Sequence, residues 1–268
     1  MERHSDTLTP ALAARYAATF DRAVRDGAPQ GIHWCLNTPE AETAALGADG
    51  HPAGGGGAMP HHAAFPRRMW ASSALTFHAP IRVGARVERT SRIESSTEKS
   101  GSSGRLLFVI VAHDVTADGQ AAVSERQTIV YREAAMPGAA PVAIVETQTE
   151  KDWDWERVVT PSAPLLFRYS ALTFNSHRIH YDLPYAREAE GYAGLVVHGP
   201  LMAALLLDLA DRMAGPDALR EFSFRAVAPA FADAPLRLLG MIAGDTVALH
   251  VRSAEGHDHM TAIGRLSG

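Results

Sequence analysis

The chain has 268 residues, a formal net charge of −5, and 46% hydrophobic against 21% charged residues; this balance excludes wholesale disorder and allows one large domain or two of about 130 residues each. The single cysteine, Cys35, excludes an intrachain disulfide framework and any multi-cysteine zinc or iron–sulfur site, and it fits a reducing compartment. The acidic balance with scattered arginines argues against nucleic acid. No basic-then-apolar leader opens the chain, and its longest apolar stretch, 200–207, falls far short of the roughly 20 residues of a membrane span, so a cytoplasmic protein is expected.

Thr9-Pro10 followed by Ala11 to Phe20 predicts a helix, with Thr9 as N-cap and Pro10 in its first turn. Residues 37–64, rich in Gly, Ala, Pro and His, read as a long surface loop. The run Gly54 to Gly57 lacks the following Lys-Ser or Lys-Thr of a phosphate cradle. Strands are predicted over Ala74–His78, Pro80–Gly84, Arg86–Ile93, Arg105–Val115 and Ala122–Tyr131, with turns at Ser100–Gly104 and Asp118-Gly119. Met136 to Pro141 has linker composition. Beyond it the order repeats: helices at Pro164–Phe174 and Leu201–Met213, then strands at Glu221–Val227, Leu236–Ile242, Thr246–Ser253 and Met260–Leu266. His257 and His259 fall in a hairpin turn and should be exposed. The repetition predicts a tandem α+β chain: a first unit over 1–135, a linker over 136–150 and a second unit over 151–268.

Two blocks carry the chemistry. In the first, Asn175, His177, Arg178, His180 and Asp182 crowd polar groups between apolar flanks, where burial without purpose is costly. Histidine exchanges protons near neutrality, so His180 and His177 are candidate acid–base groups, and Asp182 is a candidate to orient His180. Asn175 equally suits a helix C-cap. In the second block Gly199-Pro200 opens a helix, whose first peptide N–H groups are free and suit a developing oxyanion; backbone geometry is expected to require glycine at 199. His177 and His180 without a firm third ligand do not make a metal site, and none is expected. Arg67, Arg68, Arg168 and Arg178 can pair with phosphates or a carboxylate. Arg178, nearest the motif, is the choice for a distal carboxylate. Tyr169 faces the acyl pocket or packs, and His198 packs or supports the site.

Both blocks resemble those of the MaoC-like, type 2 enoyl-CoA hydratase family. That family carries Gly-Asp-x-Asn-Pro-x-His followed by a His-Gly-x-Leu helix start; here Phe174 to His180 and His198-Gly199-Pro200-Leu201 stand in those places. The wording from Arg168 to Asp182 is similar to a branch that includes itaconyl-CoA and mesaconyl-C4-CoA hydratases. The resemblance implies a tandem (double) hot-dog, two antiparallel sheets each wrapping a central helix. In it the first unit shapes the acyl tunnel and the second holds the site. It implies reversible hydration of a short dicarboxylic enoyl-CoA, coenzyme A being part of the substrate and no other cofactor needed, in a possible homodimer. Asn175 stands where the family has its catalytic Asp, and His177 where it has Asn. The expected mechanism therefore has His180 moving the proton, Asn175 orienting the water and the Gly199 N–H holding the oxyanion, with Arg178, Tyr169, Arg168, His198 and Arg68 around the substrate. The alternatives are a general 3-hydroxyacyl-thioester dehydratase, an acyl-CoA thioesterase, and a non-catalytic acyl-thioester binding subunit.

Overall fold

A computed structural model describes residues 1–133 and 152–267, except 26, 57, 58, 61, 63, 102 and 103; the linker expected over 136–150 lies outside the described residues. In chain order the elements are β1 (Glu2–Thr7), α1 (Pro10–Thr19), β2 (Gly55–Gly56), β3 (Met59–Pro60), β4 (Arg67–Phe77), β5 (Arg86–Gly101), β6 (Gly104–Ala117), β7 (Gln120–Arg132), β8 (Trp155–Val159), α2 (Ala163–Thr173), α3 (Gly199–Ala214), β9 (Leu219–Ala226), β10 (Leu236–Ala243), β11 (Thr246–Ser253) and β12 (Asp258–Leu266). No helix among the described residues is long and apolar enough to cross a membrane.

Instead of two sheets, the strands form one antiparallel ten-stranded sheet in the order β1-β5-β6-β7-β4-β9-β12-β11-β10-β8. The two halves of the chain meet edge to edge at β4 and β9, in register from Ser72↔Arg225 to Thr76↔Glu221. β2 and β3 form a separate short ladder. The 80–84 segment is a bend with one bridge, Gly27↔Arg82, rather than a strand. Pro80 supplies no N–H for a ladder. β1 and the far part of β5 carry almost no apolar residues and lie exposed, so they give no hydrophobic alternation to read.

The long apolar helix is α3, which packs across β9, β10, β11, β12 and the first half's β4. Ten of its residues, from Leu201 to Ala210, are buried. The first half has no helix of that length: α1 and a 3₁₀ turn at Ile32–Cys35 occupy the place, with Tyr16, Phe20, Ile32 and Leu36 in one core with α3. Thr9 caps α1 through its Oγ1, as the sequence predicts. Asp208, in the middle of the apolar helix, is buried against Arg22 of the first half, Arg157 of β8 and Arg212. Arg157 and Arg212 donate to its Oδ2 and Arg22 faces its Oδ1 as an ion pair, so the buried carboxylate has its charge matched. His257 and His259 are half-buried, not exposed, because the hairpin turns at Ser253–Gly256 and Asp258 is drawn inward between His250 and Arg252.

Candidate active site

Helix α2, capped by Ser162, ends at Phe174, whose φ of 49° is left-handed. Phe174, and not Asn175, therefore takes the C-cap conformation, and the Asn175 N–H closes the turn on the Ser170 carbonyl at 2.9 Å. The Asn175 side chain turns back on its own backbone: Oδ1 accepts from the His177 N–H at 3.0 Å. A 3₁₀ turn over Arg178–His180 then delivers His180 into the interior.

The segment leading to α3 clamps this turn from the other side. The Val196 N–H donates to the Ile179 carbonyl at 2.9 Å, and His180 Nδ1 donates to the Val196 carbonyl at 2.7 Å. Nδ1 thus carries the proton and Nε2 keeps its lone pair. Burial, then the neighbouring His177, pushes the His180 imidazole down to about 3, against the opposing Val196 hydrogen bond. The ring stays neutral and can accept a proton. His198 stacks on it, with ring centres 3.6 Å apart, and bonds Ser170 Oγ through Nε2 at 2.8 Å. Asp182 does not orient His180. It is taken by Arg178, at 3.0 and 2.7 Å, and by the Tyr185 N–H.

A cavity of about 1220 Å³ opens where the two halves meet, lined by His180, His198, Gly199, Asn175 and Arg68 among others. Gly199 heads α3 with Pro200 beside it, so its N–H precedes the first intrahelical bond, Met202 N–H to the His198 carbonyl. The backbone does not demand glycine there. Its φ is not positive, and a Cβ would meet only the Trp70 carbonyl, at 3.7 Å.

Three expected binding residues are placed elsewhere. Arg178 is bound by Asp182 and the Ala48 carbonyl and lies over the Tyr185 ring, off the cavity. Arg168 is exposed on α2 and does not line it. Tyr169 is 1% exposed and packs edge-on against Phe20 and His198, beneath the site. Arg68 does line the cavity. Its guanidinium bonds the Tyr131 hydroxyl, whereas neighbouring Arg67 is paired with Glu190. No carboxylate among the described residues forms an ion pair with Arg68.

Part of the presumed surface loop over 37–64 is site wall. A turn at Asp49-Gly50-His51 is tied to the motif by Ser176 Oγ to the Gly50 carbonyl and by the Arg178 N–H to the Asp49 carbonyl, 2.5 and 2.9 Å. It sets His51 against His177, ring centres 4.1 Å apart, and His177 edge-on to His180 at 5.5 Å. His51 Nδ1 bonds Asp49 Oδ2 at 3.0 Å. Burial alone would raise the Asp49 carboxyl, but hydrogen bonds from the His51 side chain and backbone hold it at about 2. The only hint in the sequence is the triplet Asp49-Gly50-His51, in a stretch whose other charges are Glu40 and Glu42. Asp49, His51 and His177 offer one potential metal-ligand atom each within 4.8 Å of one another. Arg68 acts electrostatically on both imidazoles, so a divalent cation there would meet its charge, and His51 Nδ1 is already spent on Asp49.

The first half also gives the cavity a polar wall. Buried Glu125 accepts from Trp34 Nε1 at 3.1 Å and Ser73 Oγ at 2.5 Å, and His113 bonds Ser91 and Gln127.

The structure superposes on HtdX from Mycobacterium tuberculosis with a TM-score of 0.73 at 20% identity, covering 99% of each chain. It superposes on a MaoC-like dehydratase from Phytophthora capsici with a TM-score of 0.74 at 12% identity, covering 99% of this chain and 95% of that one. These likenesses establish a MaoC-like hot-dog fold. In sequence the chain is 42% identical to mesaconyl-C(4)-CoA hydratase of Chloroflexus aurantiacus over 274 aligned residues, all of this chain and 95% of that protein. It is 29% identical to the mitochondrial hydroxyacyl-thioester dehydratase type 2 of Schizosaccharomyces pombe over 65% of this chain and 64% of that one. With the family model for hydroxyacyl-thioester dehydratase type 2 matching residues 31–232, which hold both the 174–180 motif and the head of α3, the chain belongs to that family.

Proposed function

We propose that the protein is a hydro-lyase that reversibly adds water to mesaconyl-C4-CoA or a closely related short dicarboxylic enoyl-CoA, such as itaconyl-CoA. The observation that carries this reading is the convergence on one cavity of a neutral imidazole whose Nε2 keeps its lone pair, the N–H of Gly199 ahead of the first intrahelical bond, and the guanidinium of Arg68. His180 Nε2 takes a proton from water as the oxygen attacks the β-carbon. The π pair moves toward the thioester oxygen, which the Gly199 N–H holds. The proton then passes to the α-carbon, so that water's O–H bond and the C=C π bond are exchanged for C–O and C–H bonds. In mesaconyl-C4-CoA the attacked carbon bears the free carboxylate. A cation is therefore needed near the acid–base group rather than at the far end of a tunnel, and Arg68, which lines the cavity and acts on His177 and His51, is the residue suited to that role. The polar wall of Glu125, His113 and Gln127 is poorly suited to a long aliphatic chain. Coenzyme A enters only as part of the substrate.

The same reading makes the halves, 1–135 and 151–268, two hot-dog units of one double hot-dog, the first shaping the acyl site and the second supplying the chemistry. The sheet's outer strand β8 exposes Trp155 and Val158, which suits association into a homodimer in the cytoplasm. The test is turnover of mesaconyl-C4-CoA, itaconyl-CoA and crotonyl-CoA. Loss of enoyl-thioester absorbance without thiol release, fastest for a dicarboxylic substrate, is expected. Thiol release would instead mark a thioesterase, preference for crotonyl-CoA a general dehydratase, and binding without turnover a non-catalytic subunit.

A further inference from the structure

We propose that the Asp49–His51 pair, carried on the first half of the chain, takes the place of the carboxylate that Asn175 leaves out: His51 Nε2 accepts a hydrogen bond from the second O–H of the water that His180 activates, an O–H that stays on the product as its hydroxyl. This inference rests on the hydratase reading. A carboxylate at 175 would accept hydrogen bonds through two oxygens. Asn175 has one acceptor oxygen, and the His177 N–H already takes one of its two lone pairs, so it offers a water at most one neutral acceptor site where a carboxylate offers several. A second acceptor for the water on His180 restores what that substitution removes.

The structure supplies one in His51. It lines the same cavity as His180, and the ring of His177 packs against both. Its Nδ1 is anchored on Asp49, so Nε2 is the acceptor, the same division of roles that the Val196 carbonyl imposes on His180. Two imidazoles with fixed tautomers thus face one cavity, but only His51 is backed by an anion. That anion makes Nε2 the stronger acceptor. The turn that carries the pair is built for close approach: Gly50 has a φ of 87°, and a Cβ there would collide with the Ser176 carbonyl. His51 is thereby held on the motif itself. In this arrangement His51 is a catalytic residue and Asp49 a positioning residue that acts through it.

The pair also predicts a pH signature. Once His51 takes a proton on Nε2 it ceases to accept, so it sets the acid limb of kcat. Burial and the Arg68 charge push this imidazole down, whereas Asp49 and, more weakly, Glu190 hold it up; His177 is the remaining titratable ring against it. Removing the Asp49 charge must therefore move the limb to lower pH. His180, already pushed down to about 3, does not set it.

The experiment measures kcat, KM and the pH profile on the best enoyl-CoA of the panel. His51→Ala is expected to lower kcat about 100-fold with KM little changed, and His51→Gln, which keeps an acceptor, to recover about ten-fold and lose the limb. Asp49→Asn, which keeps the turn's shape, is expected to lower kcat about ten-fold and shift the acid limb downward. Variants with kcat within two-fold of wild type, a loss confined to KM, or an unmoved limb in Asp49→Asn would overturn the proposal. So would activity that vanishes with EDTA and returns with zinc, since the trio would then be a metal site. If wild type hydrates no enoyl-CoA, the functional reading falls and this inference with it; an active wild type beside indifferent Asp49 and His51 variants sinks this inference alone.

Discussion

At the scale of single residues, the site separates groups that touch the reacting atoms from groups that hold them. Among the described residues no carboxylate bonds His180; its tautomer comes from a backbone carbonyl and its neutrality from burial. His180→Ala is expected to lower kcat by at least about 100-fold, the scale of a lost general base, while the melting curve keeps its shape. Near-normal turnover would remove the ring from that role. Arg68 tests substrate choice separately. Its guanidinium is spent on the Tyr131 hydroxyl and on no carboxylate among the described residues. Arg68→Gln should raise KM for mesaconyl-C4-CoA ten-fold or more and leave crotonyl-CoA nearly unaffected, the pattern of one lost charge-assisted contact. Equal effects on both substrates would assign Arg68 to the coenzyme A portion or to packing instead.

At the scale of elements, the head of α3 is where conformation and chemistry part. A glycine that begins a helix is ordinarily read as conformational, but Gly199 has a helical φ and room for a methyl group. Gly199→Ala is therefore expected to fold with an unchanged or slightly higher melting temperature, since alanine is the better helix former, while kcat falls because the methyl occupies the oxyanion's approach. A loss of fold instead of activity would return Gly199 to the backbone. α3 and the motif were legible from sequence because each leaves a local mark: an unbroken apolar run behind Gly-Pro, and clustered polar residues between apolar flanks. The turn at 49–51 left little beyond the triplet Asp49-Gly50-His51, because its role comes from a contact 126 residues away, Ser176 Oγ on the Gly50 carbonyl. Arg178 misled for the converse reason. Proximity in sequence to His180 suggested proximity in space, but a 3₁₀ turn sends consecutive side chains to different sides. β1 and the end of β5 escaped notice because exposed strands do not alternate.

At the scale of the whole molecule, the halves share a sheet seam, a core and a buried charge cluster, so the cavity between them is a property of the assembled fold. Arg22 of the first half reaches both Asp208 and Asp211 of α3. The cavity's cost is a set of imidazoles kept from water. His180 is pushed down by burial and then by His177, and His198 by burial and then by His180; His177 and His51 move the same way. Above the ordinary histidine value of about 6.5 both folded and unfolded chains leave these rings neutral, and no penalty arises. Below it the unfolded chain binds protons that the folded chain refuses. Stability is therefore lost as pH falls from about 6.5 toward the folded-state value, which for His180 is about 3. By about pH 5.5 the His180 ring removes about 1.4 kcal/mol from a stability typically of about 5–15, and His198, pushed the same way, adds to the loss. The melting temperature should accordingly decline between pH 6.5 and 5, well before carboxylates titrate, and His198→Gln, which keeps a partner for Ser170, should show a shallower decline. A melting temperature that stays level across that range would mean that the rings are reached by solvent and take up protons in the folded state, and the low-pH tolerance of the neutral His180 base would be lost with them.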